Sequence, residues 1–147
     1  MTPCDGAEHG YLALGDSYTI GEGVSPAERW PDRLAAGLAE YGNALGAPRI
    51  IARTGWSCAE LADAIDAAGP LGRWQLVPLV IGVNDQYRGY PLADYVPRFS
   101  ALLESGRADA FIMDGQILAG NIAKAKNPAE FKIVGEVLSV EPIAIML

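Results

Sequence analysis

The feature that most constrains this chain is a short apolar run that stops abruptly at a Gly-Asp-Ser tripeptide. Residues 11–14 read Tyr-Leu-Ala-Leu and are followed at once by Gly15, Asp16 and Ser17. A short apolar run bounded by glycine and aspartate predicts a buried strand that ends in a turn. Sites in open α/β sheets lie beyond the carboxyl ends of the strands. Ser17 therefore has two interpretations, a residue of such a site or one half of an Asp-Ser pair that caps a turn.

Two further strands are predicted by the apolar runs at 49–52 and 76–81. The first run leads to Gly55 and the second to Asn84, so both deliver residues to the edge of the sheet that carries the serine. Pro78 lies inside the second run and lacks the N–H that an interior strand donates. Its presence predicts a bulge or a late start of this strand.

Helical patterns separate and follow the predicted strands. The segment 25–28, Ser-Pro-Ala-Glu, has the N-cap serine, early proline and glutamate of a helix start, and Gly42 marks the end of that helix. Ser57 and Glu60 form a second capping pattern, and apolar residues at helical spacing predict a third helix that Gly106 ends. Alternating strands and helices predict a doubly wound α/β sheet with parallel strands and right-handed crossovers.

Composition and charge limit the class of protein and of partner. Half of the 147 residues are hydrophobic and 20% are charged, which is typical of a single globular domain with a core. A net charge of -7 argues against nucleic acid or an anionic membrane as partner, and no apolar run reaches the roughly 20 residues that span a bilayer. The polar N-terminus does not resemble a signal peptide, so we expect a cytoplasmic protein. Cys4 and Cys58 form neither a disulfide framework nor a metal pattern, and no motif implies a cofactor.

Three short motifs in order resemble the SGNH, or GDSL, hydrolases over about residues 10–103. They are the Gly-Asp-Ser tripeptide ending at Ser17, Gly55 within Arg-Thr-Gly-Trp-Ser, and Gly-Val-Asn-Asp containing Asn84. The resemblance implies that Ser17 attacks the carbonyl of a small ester substrate. It also implies that the N–H groups of Ser17 and Gly55 and the amide of Asn84 bind the oxyanion.

A different resemblance begins near residue 103. The segment 103–147, which includes Asp-Ala-Phe-Ile-Met-Asp at 109–114, is similar to the second lobe of periplasmic polar amino-acid-binding proteins. That resemblance implies that Asp114 binds the α-ammonium of an amino acid; N-capping of the following helix is the structural alternative. The chain therefore resembles a designed or natural chimera in which 1–102 and 103–147 complete one sheet and one domain.

The binding-protein-like segment predicts the rest of the sheet. A strand at 108–113 and a helix at 116–126 would continue the alternation, and 131–134 would add a fifth strand. The predicted order is flavodoxin-like, 2-1-3-4-5, with 143–147 as an additional edge strand.

The serine lacks an evident general base. The single histidine, His9, precedes the first strand whereas Ser17 follows it, and about 3.3 Å per residue places them roughly 20 Å apart. A base has to lie within about 3 Å of the proton that it removes. Asp114, at the correct edge, and Glu141, near the place of the hydrolases' Asp-x-x-His block, are carboxylates and therefore weak bases for serine.

Three functions therefore compete. The chain is a serine esterase with an unrecognised base, an amino-acid-binding module that uses Asp114, or a hydrolase-like scaffold with nucleophile and oxyanion hole but little or no activity. The missing histidine favours the third interpretation.

Overall fold

The computed structural model describes residues 9–103, together with 110, 111 and 129. In this part of the chain every described strand pair is parallel, and the sheet has the order β2-β1-β4-β5, with β3 also beside β1. The strands are β1 (His9–Gly15), β2 (Arg49–Ala52), β3 (Trp74–Leu76), β4 (Pro78–Val80) and β5 (Ala110–Phe111).

Helices connect these strands, so the predicted α/β class with a parallel sheet is confirmed. They are α1 (Ser17–Ile20), α2 (Trp30–Glu40), α3 (Cys58–Ala67), α4 (Val83–Tyr87) and α5 (Leu92–Leu102). Among the described residues, no helix has the length and apolar character that crossing a bilayer would require.

The central strand β1 is buried on both faces, as its uninterrupted apolar sequence predicts. Its residues 11–14 have at most 1% of their surface exposed. Leu12 and Leu14 belong to the main hydrophobic cluster, which also contains Leu61 of α3 and Phe99 of α5. Helices α3 and α5 therefore pack on one face of the sheet, and burial of their apolar stripe against β1 and β4 is the main stabilising contribution there.

Pro78 interrupts the third predicted strand without a bulge. The pairs His9↔Trp74 and Leu14↔Leu79 have the same offset along the chain, so no residue is inserted between β3 and β4. A bulge would have shifted that offset by one. The missing N–H of Pro78 interrupts the ladder and divides one strand into two. Of the two predicted outcomes the bulge is wrong, whereas a late start describes β4, which begins at Pro78.

The helix predicted from residue 26 begins later, at Trp30. The side chain of Glu28 does accept hydrogen bonds from the Ser25 hydroxyl at 2.6 Å and from the Ser25 N–H at 3.2 Å. The segment nevertheless forms only a turn, and α2 starts four residues beyond the proline at 26 with Pro31 in its first turn. Pro31 has no N–H to continue an earlier helix, and the residue before a proline avoids helical angles.

The second predicted capping box is present. The Ser57 hydroxyl accepts from the Glu60 N–H, and the Glu60 carboxylate accepts from the Ser57 N–H at 2.8 Å. Residues 116–126, 131–134 and 143–147 lie outside the described residues, as do Asp114 and Glu141.

Candidate active site

Ser17 lies at the carboxyl end of the central strand, as the first residue of α1. The preceding residue, Asp16, is the N-cap of that helix, and its carboxylate accepts from the Tyr18 N–H at 3.0 Å. Only 1% of Asp16 is exposed, and burial raises the pKa of its carboxyl above the usual value. Asp16 therefore caps the turn, as one of the two interpretations predicted. Ser17 is half-buried at the edge of the sheet.

Gly55 lies in a tight turn directly after β2. The Trp56 N–H donates to the Arg53 carbonyl at 3.2 Å, which closes a four-residue turn. Gly55 is the third residue of this turn and has a φ of 83°. A positive φ at this position is typical of a type II turn and favours glycine because a Cβ atom would be strained there.

Asn84 connects the serine turn with the glycine turn. Its side-chain nitrogen Nδ2 donates to the Trp56 carbonyl at 2.9 Å and lies 3.5 Å from an Asp16 carboxylate oxygen. Trp56 follows Gly55 and Asp16 precedes Ser17. The structure therefore places all three residues of the hydrolase-like motifs at the carboxyl ends of the neighbouring strands β2, β1 and β4.

Asp85 attaches the next helix to the same place. Its carboxylate accepts from the Cys58 N–H, at the start of α3, at 2.9 Å, and only 2% of Asp85 is exposed. Burial, together with the neighbouring Asp85, raises the pKa of the Cys58 thiol. Cys58 is thus a packed thiol rather than a reactive one.

Arg88 is a contact residue that the sequence analysis did not identify. Its Nη2 donates to the Gly55 carbonyl at 2.6 Å, and its Nη1 donates to the Glu60 carboxylate at 2.9 Å. Its spacing of four residues from Asn84 is the signal that could have indicated it, because residues at this spacing share one face of a helix.

Two backbone donors at this edge have no acceptor. Within the described residues, the N–H groups of Ser17 and Gly55 donate to no protein atom. The first N–H groups of a helix have no partner within the helix, and they provide partial positive charge for an anion. The Asn84 amide lies at the same edge, where its two N–H groups face the Trp56 carbonyl and an Asp16 carboxylate oxygen.

A cleft of about 470 Å³ adjoins Ser17, a volume that suits a small organic molecule. Its lining mixes apolar and charged side chains, including Tyr18, Glu22, Val24, Arg29 and Trp30. The charged groups already have partners, because Glu22 accepts from the Thr54 hydroxyl at 2.8 Å and Arg29 pairs with Asp32.

No imidazole approaches Ser17 within the described part of the chain. His9 is the first residue of β1 and pairs with Trp74, at the opposite end of the strand from Ser17. Asp114, the other predicted site residue, lies outside the described residues. Between residues 9 and 103, no group of three His, Cys, Asp or Glu side chains is arranged to hold a metal ion.

A second comparison found a relative of another kind. Over 45 residues, the chain is 56% identical to the glutamate/aspartate import solute-binding protein of Escherichia coli strain K12. This match covers 31% of the chain and 15% of that protein. That the chain is a chimera of two protein families stays a prediction.

Solved structures are similar to this chain over about two thirds of its length. AlinE4, described as an SGNH-hydrolase family esterase, is 28% identical with a TM-score of 0.57, over 68% of this chain and 53% of AlinE4. TesA matches over 68% of this chain and 57% of its own length with a TM-score of 0.58, and at 23% identity it supports the fold alone. The chain thus spans about half the length of the solved structures that it matches.

A family comparison covers most of the sequence. The profile of the GDSL-like lipase/acylhydrolase family matches residues 13–135, which include the three motifs and extend past residue 103. The chain belongs to the GDSL-like lipase/acylhydrolase family.

Proposed function

We propose that this chain carries the nucleophile and the oxyanion hole of a serine ester hydrolase. Ser17 Oγ would attack the ester carbonyl carbon. The N–H groups of Ser17 and Gly55 and the Asn84 amide would bind the oxygen that becomes negatively charged. One Asn84 N–H would exchange its long contact of 3.5 Å with Asp16 for this oxygen, while the other would stay on the Trp56 carbonyl. The observation that carries the proposal is the position of Asn84, whose amide lies between the turn of Ser17 and the turn of Gly55.

The electrostatics of the edge support stabilisation of an anion. Pre-oriented N–H donors act strongly in a site from which water is excluded, because they need no reorganisation when charge develops. An Asp16 carboxylate oxygen lies 3.5 Å from Asn84 Nδ2, and the Asp16 carboxylate also accepts from the Tyr18 N–H at 3.0 Å. Burial makes the charged form of the Asp16 carboxyl costly and therefore raises its pKa.

We expect the 147-residue chain to hydrolyse esters slowly. Its one histidine, His9, lies at the far end of β1, so the Ser17 proton has no imidazole acceptor within the described residues. Enzymes that lose members of a catalytic triad keep about 10³–10⁴-fold acceleration over water from the oxyanion hole and binding alone. We therefore expect weak hydrolysis of activated esters such as p-nitrophenyl acetate.

A fluorophosphonate probe tests the proposal more directly than turnover does. Ser17 Oγ would form a bond to phosphorus, fluoride would leave, and intact-mass spectrometry would follow the single adduct. Labelling should disappear in Ser17→Ala and slow about 10²–10³-fold in Asn84→Ala, which removes one oxyanion donor.

Ser100→Ala provides the matched control, because Ser100 is also half-buried but lies in α5. It should be labelled at the rate of the unmodified chain. Labelling of another residue, or equal labelling of Ser17→Ala, would refute the proposal.

A second candidate function, binding of a polar amino acid by Asp114, is favoured by the 45-residue match to a solute-binding protein. One carboxylate provides little affinity for a zwitterion, since binding needs several convergent groups. Isothermal titration with glutamate, glutamine and arginine should therefore give no binding heat. A dissociation constant of about 1 mM or lower that is lost in Asp114→Ala would establish this second function instead.

A further inference from the structure

We propose that Arg88 is a positioning residue of the oxyanion hole, which acts through Gly55 and does not touch the substrate. The inference rests on the proposed function and adds to it a residue outside the three hydrolase motifs. Its basis is the hydrogen bond of 2.6 Å from Arg88 Nη2 to the Gly55 carbonyl.

The guanidinium connects two parts of the segment that follows β2. One nitrogen binds the Gly55 carbonyl in the turn, and the other binds Glu60 in the first turn of α3 at 2.9 Å. Glu60 also accepts from the N–H and the hydroxyl of Ser57, and these bonds lower the pKa of its carboxyl. An ionised Glu60 therefore fixes Arg88, and Arg88 fixes Gly55.

Gly55 needs such a constraint more than another residue would. Glycine has the widest backbone freedom, so an unsupported turn would allow its N–H to change direction. The peptide unit between Gly55 and Trp56 is bound at both ends, since Arg88 binds its oxygen and the Arg53 carbonyl accepts from its N–H. This arrangement restrains the turn from which the Gly55 N–H projects.

The planar fork of arginine suits this task. Its separate N–H groups can bind the carbonyl and the carboxylate at the same time, whereas a lysine ammonium is a point charge on a flexible stem. Tyr90 adds a third contact, with its ring centroid 5.9 Å from the guanidinium carbon. We therefore expect Arg88→Lys to retain only part of the effect of Arg88.

A different outcome would be expected if Arg88 and Glu60 formed only a structural ion pair. The Arg88 side chain is 36% exposed and that of Glu60 is 43% exposed. Exposed pairs contribute little to stability. A positioning residue should therefore affect the rate at Ser17 much more than the melting temperature.

The test compares Arg88→Met with Arg73→Met, which removes an exposed arginine just before β3. Arg88→Met should slow fluorophosphonate labelling of Ser17 about tenfold, because small misplacements of catalytic groups are costly. Its melting temperature should fall by no more than about 4 °C. The labelling rate of Arg88→Lys should lie between those of Arg88→Met and the unmodified chain. Arg73→Met should be labelled at the rate of the unmodified chain.

Two further readouts separate positioning from general damage. The preference for p-nitrophenyl acetate over its thiono analogue, in which sulfur replaces the carbonyl oxygen, should decrease in Arg88→Met because the oxyanion donors favour oxygen. The ¹⁵N order parameter of the Gly55 amide should also decrease. Unchanged labelling and an unchanged Gly55 amide would overturn this proposal alone, whereas an unmodified chain that is not labelled at Ser17 would overturn the proposed function with it.

Discussion

Asn84 and Arg88 lie one helical turn apart and donate to two consecutive carbonyl oxygens, those of Trp56 and Gly55. Asp85, between them, accepts from the Cys58 N–H in the same segment. Residues 84–88 are therefore bound at three points to the backbone that runs from the glycine turn into the start of α3. These hydrogen bonds, rather than the packing of the loops, therefore fix the position of the Gly55 motif relative to the Asn84 motif.

Replacing Asn84 with aspartate should be more damaging than replacing it with alanine. Asn84→Ala removes one donor and should slow labelling of Ser17 about 10²–10³-fold. Asn84→Asp also puts an acceptor where Trp56 and Asp16 require a donor, and it adds a second negative charge beside the buried Asp16. The rate should fall further, and the denaturant midpoint should fall as well.

Gln86→Ala is the control for the Asn84 variants, because Gln86 is an exposed residue of the same helix. It should leave both the labelling rate and the denaturant midpoint unchanged. Equal rates for Asn84→Asp and the unmodified chain would exclude Asn84 from the oxyanion hole.

The capping box of α3 should make stability depend on acid pH. Hydrogen bonds from Ser57, followed by that from Arg88, lower the folded-state pKa of Glu60 below its unfolded value of about 4.3. The ionised carboxylate therefore stabilises the fold above this value, and its contribution is lost as pH falls through the lower folded-state pKa. Glu60→Gln should be less stable than the unmodified chain at pH 7, by about 1 kcal/mol or less.

Urea unfolding of both proteins at pH 7, 5, 4 and 3 measures this effect. The difference between them should shrink below about pH 4, and this comparison removes the opposite contribution of Asp16, whose pKa is raised. A difference that is constant from pH 7 to pH 3 would show that Glu60 does not act through its charge.

His9→Ala should leave the hydrolysis of p-nitrophenyl acetate unchanged within about twofold. His9 begins β1 and Ser17 follows its end, and an extended strand of this length keeps them roughly 20 Å apart. Initial rates at pH 7 for His9→Ala and Ser17→Ala provide the comparison. Loss of activity in His9→Ala would mean that an imidazole reaches Ser17 from a second molecule.

Gly15→Ala should destabilise the fold where β1 meets β4. A Cβ atom at this position would lie 2.5 Å from the Val80 carbonyl oxygen and 2.1 Å from the Thr19 hydroxyl. Because Val80 belongs to the neighbouring strand, the backbone would have to separate, and overpacking of this kind costs about 1–3 kcal/mol.

Gly37→Ala is the matched control for Gly15→Ala. It lies within α2, and a Cβ atom there would meet nothing within 4 Å. It should stabilise the protein by up to about 1 kcal/mol, because alanine favours a helix more than glycine does. Chemical denaturation of both variants tests the pair, and equal destabilisation would contradict the packing argument.

The sequence predicted those elements whose signals are local. The apolar run of β1 and the Ser57–Glu60 capping box needed only neighbouring residues, and both are present. The start of α2 was wrong because the proline at its first turn outweighed the capping pattern before it. Helices α1 and α4 are too short to show a hydrophobic period.

The contacts of the site could not be predicted from local pattern. Arg88 reaches Gly55, 33 residues away, only because the crossover through α3 brings their loops to one edge. The spacing from Asn84 places Arg88 near the site but does not identify Gly55 as its partner. The pairing register is likewise the same on both sides of Pro78 because β3 and β4 both pair with the same strand, β1.

The contact between Asn84 and Asp16 joins residues 68 positions apart. Contacts of such separation form late, after the entropy of closing the intervening loops has been offset by pairing of the sheet. An unfolded or partly synthesised chain consequently carries a serine hydroxyl with ordinary reactivity. Under the proposed function, Ser17 gains the Asn84 donor only when the second crossover, through α3, has brought β4 beside β1, so covalent labelling of Ser17 would report when that pairing forms.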